Sequence, residues 1–169
     1  PPFPVILSGN CPVEPRHGAA YAGALRRCAA PLTESQDMQD LFPPDLDQIT
    51  ALVVAAVAHL PEPFREEAAK VVLQVEDFPD DALWRDLGCE TPYELTGLYE
   101  GVPLTEKSFS DQPLQPDVIW LFRRPILEEW LDRGGIGLGD LVAHVYVHEL
   151  AHHFGWSDDE IAAIDPWWE

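Results

Sequence analysis

The sequence predicts an α+β fold in which a small mixed sheet of about three strands packs against helices. Three observations support this prediction. Apolar residues recur at helical spacing over residues 46–60, three short apolar runs have the length of strands, and a second helical pattern fills residues 138–154. Apolar residues make up 46% of the 169 residues, which is enough for one core and for one domain with an appendage.

The first element of the predicted domain is a helix. Its apolar positions recur every three or four residues, and Pro61 stops the pattern because proline cannot continue a helix. These positions are Ile49, Leu52, Val53, Ala56, Val57 and Leu60. Two shorter helices are predicted over residues 80–87 and 125–131, and the glycines that follow the second one favour its end there.

The strands are predicted at residues 71–75, 95–99 and 118–122, where the apolar runs lie. Residues 101–116, between the last two strands, contain glycine, proline, serine and aspartate, which are typical of a connection or a long hairpin loop. The elements therefore follow one another as a mixture of helices and strands.

The first 44 residues have a different character. Prolines interrupt every candidate element there and leave only residues 18–30 as a short alanine-rich helix candidate. The prolines are Pro1, Pro2, Pro4, Pro12, Pro15, Pro31, Pro43 and Pro44. We therefore expect an N-terminal arm over residues 1–44 and a domain over residues 45–169.

The charge balance excludes several classes of partner. Ten Lys and Arg residues oppose 30 Asp and Glu residues, so the net charge of −20 is the opposite of that of a nucleic-acid-binding protein. The chain shows neither an apolar run long enough to span a membrane nor a signal-peptide pattern. Cys11, Cys28 and Cys89 are an odd number at wide spacing, which indicates a reducing compartment. We expect a cytoplasmic protein that binds neither nucleic acid nor membrane.

Residues 148–152 read His-Glu-Leu-Ala-His, the HExxH pattern. Residues four apart lie on one face of a helix, so His148 and His152 can reach one Zn²⁺ while Glu149 points toward a metal-bound water. The alternative is a buried helix that carries these histidines for packing, but it needs two histidines and an acid at fixed offsets by chance. The pattern therefore favours a zinc site with Glu149 as the catalytic base.

A third histidine, His144, lies one turn upstream. His144 and His152 are separated by about 12 Å of helix rise and cannot share one ion. The pair His144 and His148 would put Val145 where the base belongs, so His144 is assigned to packing or to hydrogen bonding with a ligand. His153 is expected at the surface or the edge of the core.

A catalytic zinc has three protein ligands and one open position, so a further ligand is needed. Gly155 permits a sharp turn after His152, and Asp158 follows at the HExxHxxGxxD spacing. Asp158 is the preferred third ligand, and Asp159 and Glu160 are the alternatives. Asp158 could also be a first-turn acid, because Ser157 and Glu160 have the spacing of a capping box. A capped helix would hold the ligand still, so the two interpretations are compatible.

Three segments in order resemble a known family. LTGLYEGVPLTEKS at residues 95–108, IWLFRRPI at residues 119–126 and the HExxHxxGxxD run are similar to the small bacterial "possible zinc metallopeptidase" family of acidic minimal zincins. The similarity spans roughly residues 46–164 and leaves the arm outside. It implies a zincin-like fold, zinc on His148, His152 and Asp158, and Glu149 as the catalyst.

The residues thus predict a zinc-dependent metallopeptidase in which a zinc-activated water attacks a peptide bond and Glu149 acts as general base and acid. The alternative is a zincin-fold module that binds a peptide or protein without cutting it, although such a module has no need of Glu149. Tyr99 and Tyr146 are candidate oxyanion donors, and each can equally be a core residue. The strand at 95–99 can be an ordinary strand or one that receives an extended peptide at its edge.

Residues 134–169 contain seven acids and no Lys or Arg, so we expect neutral or basic peptide or protein substrates. Arg123 and Arg124 are expected to form ion pairs, with binding of a substrate carboxylate as the alternative. Weaker hypotheses concern an arm residue that closes the open zinc position and a tryptophan pair that plugs an apolar surface. The residues concerned are Cys11, His17, Cys28, Trp167 and Trp168.

Overall fold

The computed structural model describes residues 5–7, 42–107 and 115–164, with side chains for residues 42–107 and 115–163. The expectations for residues 18–30, for Cys11, His17 and Cys28, and for the tryptophan pair lie outside the described residues.

The first helix, α1, spans Leu46–His59 and confirms the prediction for residues 46–60. Its N-terminus is a capping box in which the Asp45 side chain accepts a hydrogen bond from the main-chain N–H of Gln48 and the Gln48 side chain accepts one from Asp45. Ile49 and Val53 are buried. The apolar face identified by periodicity therefore faces the core.

The strands are β1 (Val5–Leu7), β2 (Val72–Glu76), β3 (Gly97–Gly101) and β4 (Val118–Phe122). They form one mixed sheet in the order β1-β3-β4-β2. β3 is antiparallel to both of its neighbours, whereas β2 and β4 are parallel. The three strands predicted within the domain are present, and β3 begins two residues later than expected because the chain before it forms a 3₁₀ turn at Pro92–Glu94.

The short strand β1 corrects one expectation, since the prolines of the arm were expected to prevent any strand there. Val5 pairs with Gly101 and Leu7 with Tyr99 across the outer edge of β3. Pro4 directly precedes the strand, and proline is tolerated at the beginning of an edge strand because it removes no hydrogen bond within the ladder. The sheet therefore has one strand more than predicted. The division at residue 44 stays a prediction.

Three further helices complete the scaffold before the site: α2 (Phe64–Ala68), α3 (Asp81–Asp86) and α4 (Arg123–Arg133). α3 and α4 confirm the helices predicted at 80–87 and 125–131, and α4 begins directly after β4. α2 was not predicted. It has only five residues and no side-chain cap, so it leaves neither a periodicity nor a capping signal in the sequence.

The long helix α5 (Leu138–His153) packs between the sheet and α1, and a short helix, α6 (Asp158–Ile164), follows it. A Cβ atom added to Gly139 would lie 3.4 Å from Leu52 of α1, so the two helices approach closely. None of the helices in the described segments is long and apolar enough to cross a membrane. The principal core joins α1, the sheet, α4 and α5 and includes Ile49, Val53, Tyr99, Ile119, Leu121, Ile126, Leu141, Val142, Val145, Tyr146 and Leu150.

Candidate metal centre

α5 presents two histidines on one flank. The ring centroids of His148 and His152 are 4.9 Å apart and the ring planes meet at 80°. His152 is completely buried, whereas the side chain of His148 borders solvent. The four-residue spacing therefore brings both imidazoles to the same place, as the sequence predicted.

The turn after α5 is built around Gly155, which has a φ of +88°. Its N–H donates to the carbonyl of His152 at 2.9 Å, and the N–H of Trp156 donates to the carbonyl of Ala151 at 3.1 Å. A Cβ atom at Gly155 would collide with Thr105, whose Cγ2 would be 2.9 Å away. Both the left-handed backbone and the contact with Thr105 therefore require glycine at this turn.

The start of α6 carries the predicted capping box. Glu160 accepts hydrogen bonds from the N–H and the hydroxyl of Ser157, both at 2.9 Å. These contacts lower the pKa of the Glu160 carboxyl below its ordinary value. Asp158 is the first residue of this capped helix, and the turn directs its carboxylate back toward α5.

The three residues predicted as ligands converge. Oδ1 of Asp158 lies 3.2 Å from Nε2 of His148 and 3.3 Å from Nε2 of His152. The three candidate ligand atoms all lie within 4.8 Å of one another. Zinc bonds of about 2 Å to each ligand fit a triangle of this size. The alternatives for the third position, Asp159 and Glu160, do not belong to this group.

The hydrogen bonding of His152 fits a metal ion. Its Nδ1 lies 2.8 Å from the carbonyl oxygen of Trp156, which can only accept, so Nδ1 carries the proton and donates. Nε2 therefore directs a lone pair toward the site. This atom is buried and has no hydrogen-bond partner among the described residues. A cation shared with Asp158 and His148 would supply the missing partner, so the donor set fits Zn²⁺.

The protonation of His148 also suits a metal ligand. The pKa of His148 lies below its ordinary value because burial and the neighbouring His152 disfavour the imidazolium, while Asp158 acts in the opposite direction. A metal binds the neutral form of imidazole.

Glu149 points from α5 toward β3 and is only 5% exposed. The backbone of Tyr99 hydrogen-bonds to its carboxylate, while Oε2 has no partner. The pKa of Glu149 is raised to about 8, mainly by burial and in a smaller part by the charge of Asp158, against the lowering effect of the hydrogen bond from the backbone of Tyr99. The site thus holds a carboxyl group that can exchange a proton near neutral pH.

Gly97 is a residue of this site that the sequence analysis missed. A Cβ atom there would lie 2.8 Å from Cγ1 of Val145 and 2.9 Å from Cγ of Glu149. Glycine therefore lets α5 approach β3 closely enough to bury Glu149. The available signal was a glycine inside a strand pattern, which often marks such a close approach.

A second polar cluster lies beside the site and corrects the expectation for His153. This histidine is 1% exposed rather than at the surface or the core edge. Its Nδ1 lies 3.1 Å from the hydroxyl of Tyr99 and 3.4 Å from Oδ2 of Asp117, which also pairs with Lys107. Burial and Asp117 raise the pKa of Tyr99 above its ordinary range, so the hydroxyl stays protonated. The cluster joins β3, the loop before β4 and the end of α5.

The two tyrosines considered as oxyanion donors are core residues. Tyr99 is completely buried, and its hydroxyl contacts His153. Tyr146 is 3% exposed, and burial raises its pKa to about 12. The core interpretation of both residues therefore agrees with the structure.

Arg123 and Arg124 belong to the scaffold. Nε of Arg123 donates to Oδ1 of Asp77 at 2.6 Å, and its Nη1 donates to the carbonyl of Pro44 at 2.9 Å. The guanidinium of Arg124 lies 5.9 Å from the centre of the Phe78 ring. Of the two arginines, Arg123 forms an ion pair of the kind that the sequence analysis expected.

A cleft of about 680 Å³ runs along the solvent face of α5. His144 lines it, one turn before His148, and their ring centroids are 6.3 Å apart. His144 is not part of the group that could hold a metal. The structure therefore keeps it apart from the three candidate ligands, in accordance with the sequence analysis.

The flank of α5 that carries the histidines faces the outer edge of β3. Gly139 packs against α1 and is nine residues before His148, which places the two on opposite sides of the helix. α1 contacts β2, the edge strand at the opposite side of the sheet from β1, while α5 lies over β3 and β4. The candidate metal centre is consequently directed toward the edge where β1 pairs.

Comparison with known proteins agrees with this architecture. A model of the zincin-like metallopeptidase family matches residues 68–168, a region that runs from the end of α2 through α6 and contains His148, Glu149, His152 and Asp158. No curated protein matches the chain. Zinc binding and peptide or protein substrates are the general properties that the family name implies. The chain belongs to the zincin-like metallopeptidase family.

Proposed function

We propose that the protein is a zinc-dependent peptidase in which His148, His152 and Asp158 hold Zn²⁺ and Glu149 acts as general base and acid. The observation that carries the proposal is the convergence of three ligand atoms within 4.8 Å beside a buried carboxylate with an unpartnered oxygen. Zinc ligands alone would also suit a structural site. The additional acid distinguishes a hydrolytic centre.

His148, His152 and Asp158 would hold Zn²⁺, which would supply the Lewis acidity that polarises the carbonyl and lowers the pKa of the attacking water to about 7. Glu149 accepts a proton from the water as its oxygen forms a bond to the carbonyl carbon. It then donates that proton to the amide nitrogen as the C–N bond breaks.

The scaffold keeps Glu149 in position for these transfers. Gly97 allows the carboxylate to lie against β3, and the backbone of Tyr99 hydrogen-bonds to it. The orientation of His152 is fixed separately through the carbonyl of Trp156. Base and ligand are thus held by main-chain groups of two different segments.

The proposed path of the substrate peptide is the outer edge of β3, toward which the metal centre is directed. A peptide there would form main-chain hydrogen bonds as an added strand. In the structure this edge pairs with β1 in antiparallel register, so the edge accepts an extended segment.

The experiment compares zinc-loaded wild-type protein with zinc-loaded Glu149→Gln on a diverse peptide library. We expect cleavage by the wild type and a rate at least about a hundredfold lower for the variant, because a general base contributes about 10²- to 10⁴-fold. Glu66→Gln is the control, since Glu66 is an exposed glutamate of α2. Equal cleavage by wild type and Glu149→Gln, or no cleavage by the wild type, overturns the proposal and favours the binding module.

The ligand set is tested by measuring bound zinc in His148→Ala. We expect zinc content to fall, while His144→Ala, which alters a histidine outside the ligand group, should keep it. Unchanged zinc in His148→Ala would refute the assignment.

A further inference from the structure

The cleft along α5 opens beside the candidate metal centre. His148 lines it near the metal centre, and Asp140, in the first turn of the helix, lines one end. The two residues are eight positions apart, which corresponds to about 12 Å of helix rise. The cleft has a volume of about 680 Å³ and is open to solvent along one side.

Most of the cleft wall is apolar. Val147 and Trp156 line it and keep 40% and 38% of their surfaces exposed. Ala143 and Ala151 line it one turn before and one turn after Val147. The wall can therefore cover an aliphatic chain that extends away from the metal centre.

The cleft wall also contains ionisable side chains. Among the described residues that line it, Asp140 is the carboxylate and His144 and His148 are the imidazoles, and residues 134–164 contain no Lys or Arg. Asp159, which is not one of the proposed zinc ligands, adds negative charge beyond the other end of the helix. An acidic side chain would be repelled along this path, whereas a cation would be attracted.

We propose that the cleft binds a lysine or arginine side chain of the substrate, with its aliphatic stem against Val147 and Ala143 and its cationic end near Asp140. These are long side chains that combine an apolar stem with a positive end, and they match both the wall and the charge. The inference rests on the proposed peptidase function because it places the side chain relative to a peptide at the metal centre.

The test uses peptides in which one position is lysine, norleucine or glutamate and the neighbouring positions are equimolar mixtures. Norleucine keeps the stem of lysine and removes the charge. We expect wild-type protein to cleave the lysine set about fivefold faster than the norleucine set, in line with a partly exposed ion pair, and the glutamate set most slowly. Asp140→Asn should abolish the difference between lysine and norleucine, and Asp140→Lys should favour glutamate.

Asp132→Asn is the matched control, because Asp132 is an exposed aspartate of α4 that does not line the cleft. It should keep the wild-type preference. Thermal unfolding of each variant shows whether the fold is retained. Binding of the same peptides to zinc-loaded Glu149→Gln, followed by fluorescence anisotropy, provides a readout that does not depend on cleavage.

The outcomes separate this inference from the peptidase proposal. Cleavage without a preference for lysine, or a preference that survives Asp140→Asn, overturns the inference and leaves the peptidase intact. Binding of the lysine set that depends on Asp140, without any cleavage, supports the cleft and overturns the peptidase. If there is no cleavage and binding shows no preference for charge, both the inference and the peptidase proposal are overturned.

Discussion

Gly97 of β3 has no side chain, and its absence lets the catalytic candidate Glu149 pack against this strand. We predict that Gly97→Ala lowers the free energy of unfolding by about 1–3 kcal/mol, the usual range for an overpacked core, and also lowers kcat. The added Cβ would lie 2.9 Å from Cγ of Glu149, so the carboxylate has to move. Urea unfolding and peptide cleavage measure the two effects.

Gly139→Ala is the comparison, since it adds the same methyl group to a helix interior where the nearest atom is the flexible end of Leu52 at 3.4 Å. There we expect unchanged stability or a gain of about 0.5–1 kcal/mol from the better helix propensity of alanine. Equal effects of the two substitutions would show that Gly97 has no special relation to Glu149.

Among individual residues, the sequence predicted those whose relative positions are set by one helix and the short turn that follows it. His148, Glu149 and His152 share two turns of one helix, and a short turn brings Asp158 to them, so spacing alone indicated the group. Tyr99 and His153 are 54 residues apart, and their contact depends on how β3 lies beneath α5. No local pattern contains that information.

Among the elements, β1 has the most direct consequence for activity. It occupies the edge of β3 toward which the metal centre is directed, so it should compete with a peptide for that edge. We predict that Ile6→Pro lowers KM by about fivefold, equivalent to about 1 kcal/mol, because proline weakens strand pairing. kcat should stay the same, since a competitor affects binding alone.

Ile6→Thr is the control, because threonine keeps a high strand propensity. Steady-state kinetics of both variants with one peptide provide the comparison. A KM for Ile6→Pro equal to that of the wild type would show that the arm does not compete for this edge.

Elements with strong periodicity or clear end signals were predictable. α1 has six apolar positions at helical spacing and a proline after it, and its bounds agreed within about one residue. α2 and β1 have five and three residues, so neither contains a full pattern. The sheet order could not be predicted, because it depends on pairing between distant segments such as β2 and β4.

For the whole molecule, the net charge of −20 dominates the electrostatics. We predict that raising NaCl from 0.01 to 0.15 M increases the free energy of unfolding, because the screening length falls from about 30 Å to about 8 Å and repulsion within the folded chain weakens. Urea unfolding of the zinc-free protein at both salt concentrations measures the change. Glucose at matched osmolality is the control, and a stability that falls with NaCl would contradict the prediction.

The sequence gives the amount of this charge but not where the acidic side chains lie, and this difference limits the functional conclusions that it supports. It argued against nucleic acid from composition alone, whereas the position of the acids required the structure. Asp140 lines the cleft and Asp158 joins the histidines, while Asp77 and Asp117 pair with Arg123 and Lys107 in the scaffold. The cytoplasmic location expected from the cysteines stays a prediction.

The hydrogen bond that orients His152 ends on the main-chain carbonyl of Trp156, while the side chain of the same residue lines the cleft. A substitution at this position would change the wall that meets the substrate and leave the carbonyl in place. A substitution at position 156 can thus change substrate preference without changing metal binding. Evolution, or an engineer, could retune specificity at position 156 without rebuilding the metal centre.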